Sequence, residues 1–326
     1  MKKVGIREVA QEAEVSTATV SRVLNNRGYI SQETRNKVQS AMSKLEYYPN
    51  DLARALYKKR TYTVGLIFPS NVHPFQAELI QDIEYLLSQQ GYKVLLCNSL
   101  NNPQKEIAYL TMLRKNQVDG IIVGTHNKHI GDYNGSNLPI VAIDRDLGKN
   151  TTTVACDNYA GGELAVQLLI NRGCKQILDI RGDSSIKLPA NDRTVAYQNL
   201  MKKYGLKTYI LEVPFVLPAE EKKALIETYL HDNPEIDGIF AGDDLLASIA
   251  IFYLEAHHKK VPTDVKVIGF DGAKQTLLYN PRLTTIRQPI DQIAETATTK
   301  LINKINGKKE KDQLKLPVSL VLGHTV

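Results

Sequence analysis

No run of 18 apolar residues occurs in the 326-residue chain, so no membrane-spanning helix is expected. Lys2 and Lys3 precede no apolar block, so the N-terminus does not read as a secretory signal. Only three cysteines occur (Cys97, Cys156, Cys174), an odd number without CxxC spacing. They read as small apolar residues in a reducing cytoplasm, not as a disulfide frame or a metal site. The GxGxxG, GxSxG and HExxH patterns are missing, as is GxxxxGK followed by Ser or Thr. AGGEL at 160–164 lacks the spacing of a phosphate loop. His126 and His129, in HNKH, read as part of a polar loop and not as a metal pair. Paired aspartates are present without a nucleophile or metal set beside them. No cofactor and no enzymatic activity are expected.

Positive charge, by contrast, is concentrated. The first sixty residues hold twelve Lys/Arg against six Asp/Glu, and the remaining chain holds 29 of each. The whole net charge of +6 therefore sits in the head, which points to a polyanionic partner for that segment.

The head is patterned as three short helices. Apolar residues at 6, 9, 10 and 13 have helical spacing. Ser16 is placed to cap a second helix over 17–25, with Val20, Val23 and Leu24 on one face. Thr17, Ala18, Ser21, Arg22 and Asn25 share the other face. Ser31 caps a third helix through SQETRNKVQSAMSKLEYY, which Pro49 is expected to stop. Val38, Met42 and Leu45 of that helix close a small core. Two helices joined by a tight turn make a helix-turn-helix, whose second helix enters the DNA major groove. Arg22 suits a bidentate pair with guanine, while Thr17 and Ala18 suit close approach and a thymine methyl. Ser16, Thr19, Ser21 and Asn25 suit phosphates. Residues 50–60, NDLARALYKKR, form one or two turns that are marginal alone. They are expected to become a helix on DNA, with Asn50, Arg54 and Leu56 as contacts and Leu56 wedged between base steps of the minor groove.

From residue 61 onward, apolar runs alternate with amphipathic stretches, which means parallel sheets with covering helices. The strands are too many for one open sheet, so two α/β lobes with a cleft between their carboxyl ends are expected. Those ends carry Phe75, Asp144, Arg145, Asp157, Asn158, Asp183, Asp243, Asp244 and Asp271. Carboxylates accept from paired sugar hydroxyls, arginine donates to them, and an aromatic face covers a sugar ring. Asp243 reads first as a helix cap, whereas Asp144, Arg193 and Asp271 together form the stronger ligand set.

At this point the motifs resemble a family. IREVAQEAEVSTATVSRVLN, ISQETRNKV, LEYYPN and LARAL, followed by DNYAGG, VIGFDG and LTTIRQP, stand in the order found in the LacI/GalR regulators along essentially the whole chain. The resemblance implies an all-α helix-turn-helix head over 1–49, a hinge helix over 50–60 and a two-lobed periplasmic-binding-protein-like body over 61–326. Lobe 1 would take about 61–159 and 290–319, and lobe 2 about 160–289 and 320–326. It implies a cytoplasmic, nucleoid-associated homodimeric repressor of double-stranded operator DNA that answers to a small sugar or sugar phosphate. Thr17, Ala18 and Arg22 would read bases, Leu56 would intercalate, and Phe75, Asp144, Lys187, Arg193 and Asp271 would face the effector, with Arg145 and Asp243 added from their places at strand ends. The family's R-x-x-G-F/Y pattern appears here as RTVAY, with Ala196 in place of glycine. VDGIIVGTHN, AIDRDL and LPVSLVLG are most similar to sucrose-type members, with ribose-type members second. The C-terminal LVLGHTV carries no heptad tail, which favours a dimer over a tetramer. A sugar-transport protein and a sugar-modifying enzyme are the competing readings. The first would leave the basic head idle, and the second lacks a catalytic group.

Overall fold

The computed structural model describes residues 4–48, 60–127, 133, 138–148, 151–308 and 313–326. Residues 1–61 and 62–326 form two separate units. In the first, α1 (Ile6–Glu12), α2 (Thr17–Leu24) and α3 (Gln32–Lys44) surround a core of Val9, Val20 and Val38, none of which has any exposed surface. Ala10, Ala13 and Ala41 let the helices approach closely around it. Local chemistry sets the helix ends. Ser16 Oγ accepts from Thr19 N–H at 3.0 Å and Ser31 Oγ from Thr34 N–H at 3.3 Å, satisfying amides that the first turns leave open. Glu14, at φ 54°, turns the chain between α1 and α2. The third helix ends earlier than the sequence suggested. It stops at Lys44, where Glu46 adopts φ 48° and Tyr47 N–H bonds back to Met42 O at 2.9 Å. A left-handed cap, not Pro49, terminates it.

The second unit contains two six-stranded sheets. The first has the order β11-β5-β4-β3-β1-β2. Its strands are β1 (Thr63–Phe68), β2 (Lys93–Asn98), β3 (Gly120–Val123), β4 (Ile140–Ile143), β5 (Thr152–Cys156) and β11 (Gln313–Leu316), all parallel to their neighbours. The second has the order β12-β10-β9-β8-β6-β7. It comprises β6 (Ile177–Arg181), β7 (Tyr209–Glu212), β8 (Gly238–Ala241), β9 (Lys266–Asp271), β10 (Thr284–Arg287) and β12 (Ser319–Val321). Only β12 runs antiparallel, against β10. Strands such as IVAI and GIFA are buried at every residue, as expected where helices cover both faces.

Helices α4 (Pro74–Gln89), α5 (Pro103–Lys115) and α11 (Ile290–Ile305) belong to the first sheet. Ile293, Ala297 and Leu301 of α11 share one core with Leu79, Ile83 and Leu87 of α4. Helices α6 (Asn158–Asn171), α7 (Asn191–Tyr204), α8 (Ala219–Asp232), α9 (Asp244–Ala256) and α10 (Lys274–Tyr279) complete the described residues. The chain thus crosses between sheets three times, after β5, after β10 and after β11. In the first sheet β1 separates β2 from β3, and in the second β6 separates β7 from β8. At these points successive crossovers leave in opposite directions, which opens a crevice beyond the carboxyl ends of the strands.

Candidate functional site

On the head, Ser16, Thr17, Ala18 and Arg22 of the α2 segment are exposed, while Thr19, Ser21 and Asn25 are half-buried. Two of these side chains already serve the helix. Ser16 caps its start, and Asn25 Nδ2 donates to Ser21 O at 2.8 Å at its end. Thr17, Ala18 and the Arg22 guanidinium remain open on a surface that Val20 anchors from beneath. Asn50, Arg54 and Leu56 lie outside the described residues.

In the second unit a cavity of about 260 Å³ opens where the carboxyl ends of the two sheets meet. The first sheet contributes His73, Phe75, Gln76, His126 and Asp144, and the second contributes Arg193, Asp243 and Asp271. Arg193 is the best-held of them. It is 9% exposed, its Nε donates to Asn158 Oδ1 at 2.7 Å and its Nη1 to Gly242 O at 2.7 Å. Its guanidinium lies 3.4 Å from the Phe270 ring centroid. The local sequence makes room for this. A Cβ on Gly162 of α6 would come within 2.6 Å of Arg193 O, so the two helices meet only because that position is glycine. Ala196, in place of the family's glycine, is accommodated and buried in the same contact.

The carboxylates form an unusual environment. Burial pushes Asp144 up to about 6, against the pull of Arg193 and with the push of Asp271. Burial likewise raises Asp271 to about 6, and His73 and Arg193 counter it. Both residues have positive φ, 50° and 104°, which aims them from the ends of β4 and β9. Asp271 Oδ1 accepts from Gln288 Nε2 at 2.7 Å. Asp179 is also raised to about 6 by burial, although Thr194 Oγ1 donates to it at 2.7 Å. Asp243 both caps and lines. It accepts from Leu246 N–H at 2.8 Å and stands 3.6 Å from His73 Nε2, which is too long for a hydrogen bond and so counts as an ion pair. Burial pushes His73 down, but the carboxylates of Asp243 and Asp271 together outweigh it and hold the imidazole above its usual range. Asp243 itself is held low by His73 despite its own burial.

Among the described residues, three sealed acceptor oxygens on this wall have no donor: Asp144 Oδ1, Gln76 Oε1 and Gln288 Oε1. Buried polar atoms are rarely left so, and a ligand bearing several hydroxyls would satisfy them. Opposite chemistry is supplied by an aromatic face. Phe215 packs edge-on to His126 at 4.9 Å and tilted to His73 at 5.3 Å. His126 is neutral, lowered to about 4 by burial and by His73, Arg145 and Arg193.

Two expected contacts are corrected. Arg145 does not line the cavity: its Nη2 donates to Asn127 O at 2.9 Å and its Nη1 to Lys187 O at 3.1 Å. The Lys187 side chain is exposed and contributes only that carbonyl. Arg145 therefore ties the segment after β4 to the loop after β6 across the sheets, a positioning role. His126, read from the sequence as part of a polar loop, does lie in a loop and also lines the cavity, while His129 lies outside the described residues. Sequence reasoning also missed His73, Gln76, Phe215, Lys222 and Gln288. Gln288 had a signal, since it stands inside LTTIRQP. His73 and Gln76 flank Phe75, which the sequence did point to, whereas Phe215 and Lys222 lie in a segment whose approach to the cavity only the fold decides.

Among the described residues no cluster of three ligating side chains could hold a metal ion, and no helix is long and apolar enough to cross a membrane. The donors and acceptors of this wall suit the hydroxyls of a polyol.

Comparison with known proteins agrees with this geometry. Residues 5–50 match the family described as bacterial regulatory proteins, lacI family. Residues 61–323 match periplasmic binding proteins and sugar binding domain of LacI family. A sucrose operon repressor of Lactococcus lactis subsp. lactis is 42% identical over 318 residues, covering 98% of both chains. A ribose operon repressor of Halalkalibacterium halodurans is 37% identical over 324 residues, covering 98% of this chain and 96% of that one. The lac repressor bound to ONPG in its repressed state superposes with a TM-score of 0.86 at 25% identity, covering 100% of each chain.

Proposed function

The chain belongs to the LacI family of bacterial regulatory proteins, and from that premise we propose a sequence-specific repressor of a carbohydrate-utilisation operon, controlled by a sugar or sugar phosphate. This is a family of transcription regulators, not of enzymes. Two copies bind a palindromic double-stranded operator in the cytoplasm, on the nucleoid. Thr17, Ala18 and Arg22 read base edges, and Ser16, Thr19, Ser21 and Asn25 address phosphates. Residues 50–60 fold in the central minor groove, with Asn50 and Arg54 on the backbone and Leu56 between base steps.

The effector lies between the sheets against Phe75, Asp144, Arg193, Asp243 and Asp271, with Arg145 and Lys187 bracing the wall. The observation that carries this reading is the set of three donorless acceptors beside Arg193, in a chain whose other unit presents an exposed Thr-Ala-Arg face. Such a set discriminates for polyols, because an empty site leaves sealed oxygens unpaired. A sucrose-type effector is favoured, since the sucrose operon repressor shares more identity than the ribose operon repressor. Ribose is the second reading. Selection from a random duplex pool by the full chain tests the DNA half: enrichment of one palindrome supports it, and recovery of unrelated sequences contradicts it.

A further inference from the structure

One cation on the cavity wall is not used by the site as described. Lys222, on the first turn of α8, is 8% exposed and lines the cavity. Its ammonium lies 5.0 Å from the Phe215 ring centroid and has no hydrogen bond or ion pair among the described residues. The neighbouring arginines are tied down at their terminal nitrogens, although Arg181 Nε is sealed without a partner among the described residues. Arg193 is held by Asn158 and Gly242, and Arg181 is paired with Glu212 at 2.6 Å. Asp243 is the carboxylate that Lys222 feels, but it is already held by His73 and by the first turn of α9. A lysine drawn largely out of water without a protein acceptor is costly, and an anionic ligand in the cavity would complete it. The aromatic face beside it offsets only part of that cost.

We propose that Lys222 is the anion-recognising residue of this cavity, and that the effector is a sugar bearing a phosphate seated against Lys222 beside Phe215. The inference rests on the sugar-effector reading above and specifies its chemical class. The acceptors Asp144, Gln76 and Gln288 take the sugar hydroxyls, and the lysine takes the group that those acceptors would repel. Lysine suits this role as a compact point charge with three donors.

The test is calorimetric binding to the full-length protein at fixed salt. The ligands are fructose, fructose 1-phosphate, fructose 6-phosphate, sucrose, sucrose 6-phosphate and inorganic phosphate. Wild type is compared with Lys222→Met, which keeps the aliphatic stem on Phe215, and with Lys222→Arg, which keeps the charge. One phosphorylated sugar is expected to bind at least about tenfold more tightly than its unphosphorylated form, the scale of one charge-assisted contact. Lys222→Met should remove that difference while leaving the unphosphorylated sugar unchanged, and Lys222→Arg should restore part of it. If a neutral sugar binds and shifts DNA affinity with no phosphate preference, and Lys222→Met is silent, the phosphate proposal is overturned while the sugar-effector reading stands. If none of these ligands binds although DNA is bound, both fall. A Lys222→Met protein with an unaltered melting curve excludes misfolding as the cause of lost binding.

Discussion

Asp144→Asn is expected to make the empty protein more stable and the effector weaker. Asp144 Oδ1 is sealed and unpartnered, and burial carries its carboxyl from 3.8 to about 6. Ionising it in the fold therefore costs about 3 kcal/mol relative to the unfolded chain. Asparagine has the same shape and tolerates the φ of 50° found here. It carries no charge, but its amide is also desolvated and the attraction to Arg193 is lost. About 1–2 kcal/mol of the relief should remain, or roughly 3–5 °C in the melting temperature of a body this size.

The pH dependence fixes the cause. Below about 4 the wild-type carboxyl is protonated in both states and costs nothing. Between 3.8 and about 6 the folded state keeps a proton that the unfolded chain releases, so wild-type stability falls as pH rises through that window. The variant lacks this slope. Its advantage should be full at pH 8 and small near pH 4, while Asp179 contributes equally to both proteins and Asp271 is relieved of its repulsion with Asp144. Thermal melts at the two pH values, with effector titration at pH 8, measure both halves. A variant less stable than wild type at pH 8, or equally stabilised at both pH values, would refute the reasoning.

Three further outcomes are expected. Arg22→Ala should weaken operator binding by about 1–3 kcal/mol and relax preference at one base position; an equal loss on random DNA would contradict base reading. Asp271→Ala should abolish the sugar response while leaving operator affinity intact, and an unchanged response in an anisotropy titration of operator DNA removes Asp271 from the site. Gly162→Ala should push α6 from the Arg193 backbone and weaken effector binding at least tenfold, on the scale of a displaced charged contact; calorimetry showing wild-type affinity would mean that the helix contact is not what places Arg193.

Much of this architecture was legible because period and chemistry coincide. The helical spacing of the head, with Ser16 and Ser31 before it, defines α2 and the start of α3. The end of α3 was not legible, since Pro49 is the louder signal and a left-handed Glu46 leaves none. In the body, runs such as IVAI and GIFA mark buried strands, and the residues just after them face the cleft. That rule finds Asp144, Asp243 and Asp271 but misplaces Arg145, whose length lets it turn away to the carbonyls of Asn127 and Lys187. Phe215 and Lys222 follow no motif. The course of the loop after β7 brings them to the wall, and no local pattern encodes that course.

Anisotropy titration of the selected operator duplex by the full-length protein, at one fixed salt concentration, tests the central claim most directly, because phosphate contacts make any affinity salt-dependent. Sucrose, fructose, ribose and their phosphates are added in turn. The account predicts that one of them changes operator affinity at least tenfold, and that Arg193→Ala, with the donor between Asn158 and Gly242 removed, no longer responds to it. Tight operator binding that no sugar alters, or an Arg193→Ala protein that responds like wild type, would contradict it.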